Sequence, residues 1–106
     1  NHSESGLLRE RIAANQVSQG ITTLIVGPDG GSPDSIGEYF ASLRGKTAVN
    51  VGAFLGHGTL RTLVMKEDLR RAATAAEIAA MSALLERAMK DGAFGLSSGL
   101  EYDAGF

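Results

Sequence analysis

Three side chains in this sequence could bind a metal ion or transfer a proton: His2, Asp29 and His57. The two histidines are the only ones among the 106 residues, and Asp29 stands in the glycine-rich turn VGPDGG. Imidazole nitrogen and carboxylate oxygen are both zinc donors, and both groups serve as general acids or bases. Asp29 also has a simpler explanation, because a carboxylate in a Pro-Asp-Gly turn often only caps that turn.

The elements that must position these residues alternate between helix and strand. Apolar runs at 21–26, 47–55 and 93–98 predict strands, and the first run is apolar enough to be buried on both faces, as in a parallel sheet. Helical spacing of apolar residues predicts helices at 9–18, 35–44 and 74–91, the last one beginning with a capping box formed by Thr74 and Glu77. Residues 1–5 are expected to be the tail of an earlier strand and its loop. The segment 56–73 has no assigned element except a short helix expected near 66–71.

Alternating strands and helices of this kind predict a parallel sheet built from right-handed crossover connections. In such a sheet every strand-to-helix connection lies at one rim, where α/β proteins place their chemistry. The connecting segments here are 2–5, 28–32, 56–61 and 97–102. His2, Asp29 and His57 all fall within them. The sequence therefore predicts that the three side chains converge at one end of the sheet.

Composition excludes several classes of protein. The formal net charge is −2 and the basic residues are dispersed, with only Arg70 and Arg71 adjacent, so no nucleic-acid partner is expected. No apolar run approaches the roughly 20 residues that span a bilayer, and no signal peptide is visible, so no membrane partner is expected. A cytoplasmic location is the default expectation, with an upstream signal peptide left open. The chain begins at Asn1 and ends behind the loop-like LEYDAGF, and we expect a fragment of a longer protein.

Four segments resemble the D-aminoacylase (N-acyl-D-amino-acid deacylase) branch of the amidohydrolase superfamily. They are NHSESG, GITTLIVGPDGGS, VNVGAFLGHGTLR and TAAEIAAMSALLERAMKDGAFGLSSGLEYDAGF, and the likeness is strongest from Thr74 onward. The resemblance implies an α/β fold in which residues 1–106 form part of a (β/α)8 TIM barrel, roughly its first four strands with the intervening helices. The rest of the barrel and a small accessory β-domain would lie outside the chain. The resemblance also implies hydrolysis of the amide bond of small-molecule N-acyl-D-amino acids by a metal-activated water, with one or two zinc ions as cofactor.

The resemblance also implies roles for individual residues. His2 matches the last histidine of an Asp-x-His-x-His zinc signature, and Asp29 matches a metal-binding cysteine in the family motif Val-Gly-Asn-Cys-Gly. A carboxylate is a harder donor than a thiolate, which alters metal preference. The motifs GHGTLR and GLSSGLEY match parts of the catalytic rim and imply that His57, Ser98 and Tyr102 contact substrate. The remaining ligands and the acid/base aspartate are expected downstream, so no catalytic residue is predicted within this chain, which alone should be inactive.

Other interpretations stay open. The departure of Asp29 from the cysteine pattern allows another amidohydrolase, of the D-glutamate-type deacylase or dihydroorotase-like kind. A small non-catalytic α/β binding module is the alternative from a different class. Arg61 could anchor a substrate carboxylate or hold the 56–73 segment through an ion pair, and Tyr102 could contact substrate or pack in the core. The oligomeric state, the acyl and side-chain specificity and the number of metal ions do not follow from the sequence.

Overall fold

A computed structural model describes residues 2–66 and 68–105 of the chain. Helical regions and strand regions follow one another in the order that the apolar pattern predicts, although three of these regions contain two elements each. The helices are α1 (Glu4–Arg9), α2 (Ala14–Val17), α3 (Ile36–Leu43), α4 (His57–Met65) and α5 (Ala75–Lys90), and a 3-10 turn follows at Asp103–Gly105. The strands are β1 (Thr23–Val26), β2 (Asn50–Ala53), β3 (Leu55–Gly56) and β4 (Leu96–Ser97).

The strands pair in parallel, which confirms the predicted α/β class. Strand β1 lies beside β2, with Thr23 opposite Asn50 and Val26 opposite Ala53. Strand β3 lies beside β4, with Leu55 opposite Leu96. Phe54 alone separates β2 from β3, and its N–H donates to the carbonyl of Val26 while the next N–H, that of Leu55, donates to Gly95, both at 2.9 Å. The chain therefore changes its hydrogen-bonding neighbour at Phe54 and links the two ladders.

The hydrophobic core fills one side of this sheet. Its largest fully buried side chains are Val26 on β1, Ile36 on α3 and Leu55 on β3. Burying an aliphatic side chain of this size contributes about 1.5–3 kcal/mol, so the contact between strands and helices is the main source of stability. Within the described residues, no helix has both the length and the apolar character needed to cross a membrane.

The opposite side of the sheet is more open than predicted. Ile25 is half-buried there, and the Phe94 side chain is 62% exposed although it packs edge to face on Phe54, with ring centroids 6.4 Å apart. The prediction that the first strand is buried on both faces therefore holds for one face only, that of Leu24 and Val26. Leu96, on the short strand β4, is also exposed.

Two helix predictions were wrong in detail. Of the helix predicted at 9–18, residue 9 ends α1 and residues 14–17 form α2, while residues 10–13 are not helical and Ala13 takes a left-handed backbone conformation with φ of 51°. Helix α1 begins at Glu4, where the tail of an earlier strand was expected; residue 1 of that predicted tail lies outside the described residues. The second wrong prediction is the short helix expected near 66–71. The helix of this segment is α4, at 57–65, and residues 66 and 68–71 are not helical, while residue 67 lies outside the described residues.

Helix α4 was not predicted because the residues at its N-terminus carry no side-chain capping signal. Gly56 is its N-cap and provides no side-chain hydrogen bond, so the usual Ser, Thr, Asp or Asn signal is absent. By contrast, α5 has the predicted capping box: the Thr74 hydroxyl accepts from the Glu77 N–H, and the Glu77 carboxylate accepts from the Thr74 N–H. The helix with a clear sequence signal was predicted and the one without it was not.

Candidate metal centre

His2 and Asp29 meet beyond the carboxyl end of β1. The His2 Nε2 atom lies 3.0 Å from the Asp29 Oδ2 atom, and the two residues are 27 positions apart in sequence. The side chains are 68% and 55% exposed, and even a fully charged pair as exposed as this would contribute only between about 0 and 1 kcal/mol to folding. The contact therefore does little for stability, and it presents an imidazole nitrogen and a carboxylate oxygen together at an accessible surface.

The Asp29 side chain is aimed by an unusual turn. Asp29 has a φ of 56°, in the left-handed region that few residues other than glycine adopt, and it stands between Gly27 and Gly30, each with a φ of 79°. Aspartate is one of the residues that enters this region at low cost. The chain therefore reverses sharply after β1 and turns the carboxylate back toward His2.

The loop after β1 is bonded to the ends of the other strands. The N–H of Gly30 donates to the Ser97 hydroxyl on β4 at 3.2 Å, and the Gly30 carbonyl accepts from the Thr59 N–H in the first turn of α4 at 3.2 Å. The Ser32 hydroxyl accepts from the Gly56 N–H at 2.9 Å. These bonds bring the connections after β1, β3 and β4 to one rim, as the sequence predicted.

A cavity of about 440 Å³ lies at this rim. Small-molecule sites span roughly 300–1,000 Å³, so the volume suits a ligand of modest size. Polar side chains on its wall can bind such a ligand, and glycines bring bare backbone close to it. The polar side chains are those of His2, Asp29, Asp34, Thr59, Thr62 and Tyr102.

The structure places the predicted site residues at different distances from this cavity. His2, Asp29 and Tyr102 line it. Gly58 and Gly99 form the wall next to His57 and Ser98, which are themselves at the rim but are not among the described lining residues. The His57 ring is half-buried at the start of α4, and its Nδ1 atom is buried without a hydrogen-bond partner among the described residues. Substrate contact by His57, Ser98 and Tyr102 stays a prediction.

Sequence reasoning missed the three other polar residues on the wall. Thr59 and Thr62 lie three positions apart, on one face of α4, and that spacing would have been informative once a helix was assigned there. Asp34 lies immediately before Ser35, the N-cap of α3, where an acidic residue has an ordinary helix-start explanation. Nothing in its local sequence distinguishes it as a cavity residue.

Arg61 holds a loop and does not line the cavity. The residue is 5% exposed, and its Nη2 atom donates to the carbonyls of Leu69 and Arg71, at 3.0 Å for the latter. Arg61 therefore secures the 56–73 segment, as expected, but through hydrogen bonds to backbone carbonyls. No ion pair of Arg61 occurs among residues 2–66 and 68–105. The alternative role as an anchor for a substrate carboxylate does not fit this burial.

His2 and Asp29 supply one nitrogen and one oxygen donor of the kinds that zinc accepts. The two atoms already face each other across a hydrogen-bond distance at the edge of the cavity, so the donor set fits a bound cation. No group of three or more His, Cys, Asp or Glu side chains suited to a metal ion occurs in the described part of the chain. The pair is thus the metal-binding candidate that these residues offer.

Comparison with known proteins identifies relatives of this chain. No protein-family model matches it. It is 38% identical to D-aminoacylase of Alcaligenes xylosoxydans xylosoxydans over 125 residues, covering 95% of this chain and 26% of that protein. It is 39% identical over 127 residues to N-acyl-D-aspartate deacylase of the same organism, covering 95% of this chain and 25% of that protein. The chain thus spans about a quarter of the length of these relatives.

A third relative and two solved structures extend the comparison. N-acyl-D-glutamate deacylase of the same organism is 33% identical over 113 residues, covering 85% of this chain and 23% of that protein. A crystal structure of D-aminoacylase, described as defining a novel subset of amidohydrolases, superposes with a TM-score of 0.87 at 36% identity, covering 97% of this chain and 27% of that one. A second, from work on the binuclear metal center of D-aminoacylase, gives 0.85 with the same identity and coverage. The chain is therefore homologous to D-aminoacylase, an amidohydrolase, along nearly its whole length, and it shares the backbone fold of the corresponding quarter of that enzyme.

Proposed function

We propose that this chain is part of a metal-dependent amidohydrolase that cleaves the amide bond of N-acyl-D-amino acids. The observation that carries the proposal is the 3.0 Å approach of His2 Nε2 to Asp29 Oδ2 at the mouth of the cavity. The similarity to D-aminoacylase and to N-acyl-D-aspartate deacylase supports the substrate class. The parallel strands and the TM-score of 0.87 support a second part of the proposal, that these elements belong to a (β/α)8 barrel completed by further sequence.

His2 and Asp29 would hold the metal, through Nε2 and a carboxylate oxygen. A bound zinc ion would polarise the acyl carbonyl and lower the pKa of a water molecule toward neutrality, which makes hydroxide available as the nucleophile. The work on a binuclear center in D-aminoacylase supports one or two ions. Asp29 also determines the kind of metal, because its oxygen donor is harder than a thiolate and favours harder cations.

The other residues on the wall would bind the substrate around that centre. The Tyr102 hydroxyl can donate a hydrogen bond to the substrate carboxylate or to its acyl oxygen. The Thr59 and Thr62 hydroxyls donate to the carbonyls of Ser32 and Gly58, so toward a substrate they can act as acceptors. His57 and Ser98, on the same rim, are proposed to complete the substrate contacts. The acid/base aspartate and the further metal ligands are proposed to come from sequence beyond these residues.

A second candidate substrate class is the N-acyl-D-amino acids with acidic side chains. The identities of 39% to N-acyl-D-aspartate deacylase and 33% to N-acyl-D-glutamate deacylase favour it. Hydrolysis of these substrates would use the same metal and cleave the same amide bond of a D-amino acid. The two classes differ only in the substrate side chain, which is acidic in the second class.

The test uses the full-length protein that contains this segment, loaded with zinc. It is assayed against N-acetyl-D-amino acids and N-acetyl-L-amino acids with neutral and with acidic side chains. The proposal predicts release of the free D-amino acid and little turnover of the L series, and the ratio between neutral and acidic substrates decides between the two classes. A zinc-loaded protein that hydrolyses none of these amides would contradict the proposed activity and favour a non-catalytic binding module.

A further inference from the structure

Glu4 connects the segment that carries His2 to the loop that carries Asp29. Its carboxylate Oε1 accepts a hydrogen bond from the backbone N–H of Gly27, with an N···O distance of 2.6 Å. Glu4 lies two residues after His2, and Gly27 lies two residues before Asp29. The Glu4–Gly27 and His2–Asp29 contacts therefore join the same two segments, residues 2–4 and residues 27–29.

The Gly27 N–H needs this partner. Gly27 is buried at the end of β1, where the chain turns away from the sheet with a φ of 79°. A Cβ at this position would collide with the Phe54 carbonyl, so the turn is closely packed against the junction between β2 and β3. A buried N–H without a partner is costly, and a carboxylate is a strong acceptor for it. The Glu4 carboxylate thus gives the Gly27 N–H a hydrogen-bond partner at the start of the loop that carries Asp29.

Glu4 is itself held in place. It is the first residue of α1, and its backbone carbonyl accepts a hydrogen bond from the Tyr39 hydroxyl on α3 at 3.3 Å. The Tyr39 side chain is buried, and burial together with the nearby Glu4 carboxylate raises the pKa of this phenol to about 12, so it stays protonated and able to donate. The Glu4 side chain is not among the described residues that line the 440 Å³ cavity.

The exposure of the His2–Asp29 pair makes backbone support important. Both side chains are more than half exposed, so little packing restricts their rotamers. The positions of their donor atoms then depend on how the two backbone segments are placed relative to each other. The contact that fixes this placement from the interior side is the one between Glu4 and Gly27.

We propose that Glu4 is a positioning residue that sets the separation of His2 and Asp29 through its hydrogen bond to the Gly27 N–H, a role that rests on the proposed metal site. Residues behind a metal site that orient its ligands commonly affect affinity by about 10–100-fold when replaced. Glu4 would do so without contacting the ion or the substrate. The bond requires an acceptor oxygen and does not require a charge.

The test compares two substitutions in the full-length protein. Glu4→Gln keeps an acceptor oxygen at the same reach, whereas Glu4→Met keeps the side-chain length and helix propensity and removes the acceptor. Glu10→Met is the matched control, because the Glu10 carboxylate also accepts backbone N–H bonds, from Ile12 and Ala14, but on an exposed part of the chain. Zinc affinity is measured by competition with a chelating indicator, and the visible spectrum of the cobalt-substituted protein reports the ligand geometry.

We expect Glu4→Met to weaken zinc binding by about 10–100-fold and to change the cobalt spectrum, with Glu4→Gln and Glu10→Met within about threefold of the parent. Parent-like affinity of Glu4→Met would overturn the positioning role. A loss of about tenfold or more in Glu4→Gln relative to the parent would also overturn it, because the bond would then need more than an acceptor oxygen, and this outcome can be observed even if Glu4→Met does not fold. An Asp29→Ala variant separates the two claims: if it retains zinc as the parent does, the proposed metal site has failed, whatever Glu4 does.

Discussion

The carbonyl of Asp29 occupies the space where a side chain on Gly99 would begin. A Cβ built at Gly99 would overlap this carbonyl and contact the Tyr102 ring. The loop after β1 and the loop after β4 therefore touch backbone to backbone, and only a residue without a side chain permits it. This contact places Tyr102 and Asp29 on the wall of the same cavity.

Replacing Gly99 with alanine should separate these two loops. The added methyl group cannot be accommodated by a rotamer change of Tyr102 alone, because the two nearest atoms that it meets are the carbonyl oxygen and carbon of Asp29. We expect a loss of about 1–3 kcal/mol in the free energy of unfolding, the usual cost of an overpacked site. Gly6→Ala is the matched control, since nothing lies within 4 Å of a Cβ there, and it should be neutral or stabilising. Equal urea midpoints for the two variants would contradict the close contact.

The capping box at the start of α5 makes a second testable contribution. Thr74→Ala removes the hydroxyl that accepts from the Glu77 N–H and should lower the free energy of unfolding by about 1 kcal/mol. Ser82→Ala, at an exposed position within the same helix, should not destabilise the protein. A thermal melt in which both variants match the parent would show that the cap is not important for stability.

Glu77 should make stability depend on pH below neutrality. Hydrogen bonds from Arg71 first, and then from the Thr74 backbone and hydroxyl, lower the pKa of the Glu77 carboxyl to about 2 from its ordinary value of 4.5. A carboxyl with a depressed folded-state pKa contributes stability that is fully present above 4.5 and is lost as pH falls toward 2. Melting temperatures between pH 6 and pH 2 should fall less steeply for Glu77→Gln than for the parent. Parallel curves would show that Glu77 does not contribute in this window.

The open face of the sheet should cause the 106-residue chain to associate. Phe94, Leu96 and Leu100 are large apolar side chains exposed at or next to β4, the kind of patch that mediates contact between proteins. Leu96→Ser with Leu100→Ser should raise the monomer fraction in sedimentation velocity. Ile12→Ser, which removes an equally exposed but distant side chain, should leave the distribution unchanged. A parent chain that is already monodisperse and monomeric would contradict this expectation.

The sequence was most informative where local signals were strong. Apolar runs located the strands, and Thr74 with Glu77 marked the start of α5. The predicted loop after β1 correctly placed Asp29 at the rim, where His2 meets it. The break at Ala13 was not predictable from composition, since alanine normally favours helix and its φ of 51° is imposed by tertiary structure.

Other features depended on contacts that leave no local signal. Helix α4 lacks a side-chain cap, and so the cavity face that Thr59 and Thr62 provide was missed. The Glu4 carboxylate bonds to an N–H that is 23 positions away, a contact that only the folded chain brings about. Arg61 was predicted to secure its loop, but the partners are carbonyls of Leu69 and Arg71, which every residue type could supply.

Asp29 is proposed to bind the metal ion together with His2. The most direct test measures the zinc affinity of the full-length protein after Asp29 or Asp34, the two aspartates of this cavity, is replaced. Asp34→Ala is the matched control because Asp34 lines the same cavity. We predict that Asp29→Ala weakens zinc binding at least about tenfold while Asp34→Ala leaves it near that of the parent. Equal zinc affinity in the parent and in Asp29→Ala would contradict the claim.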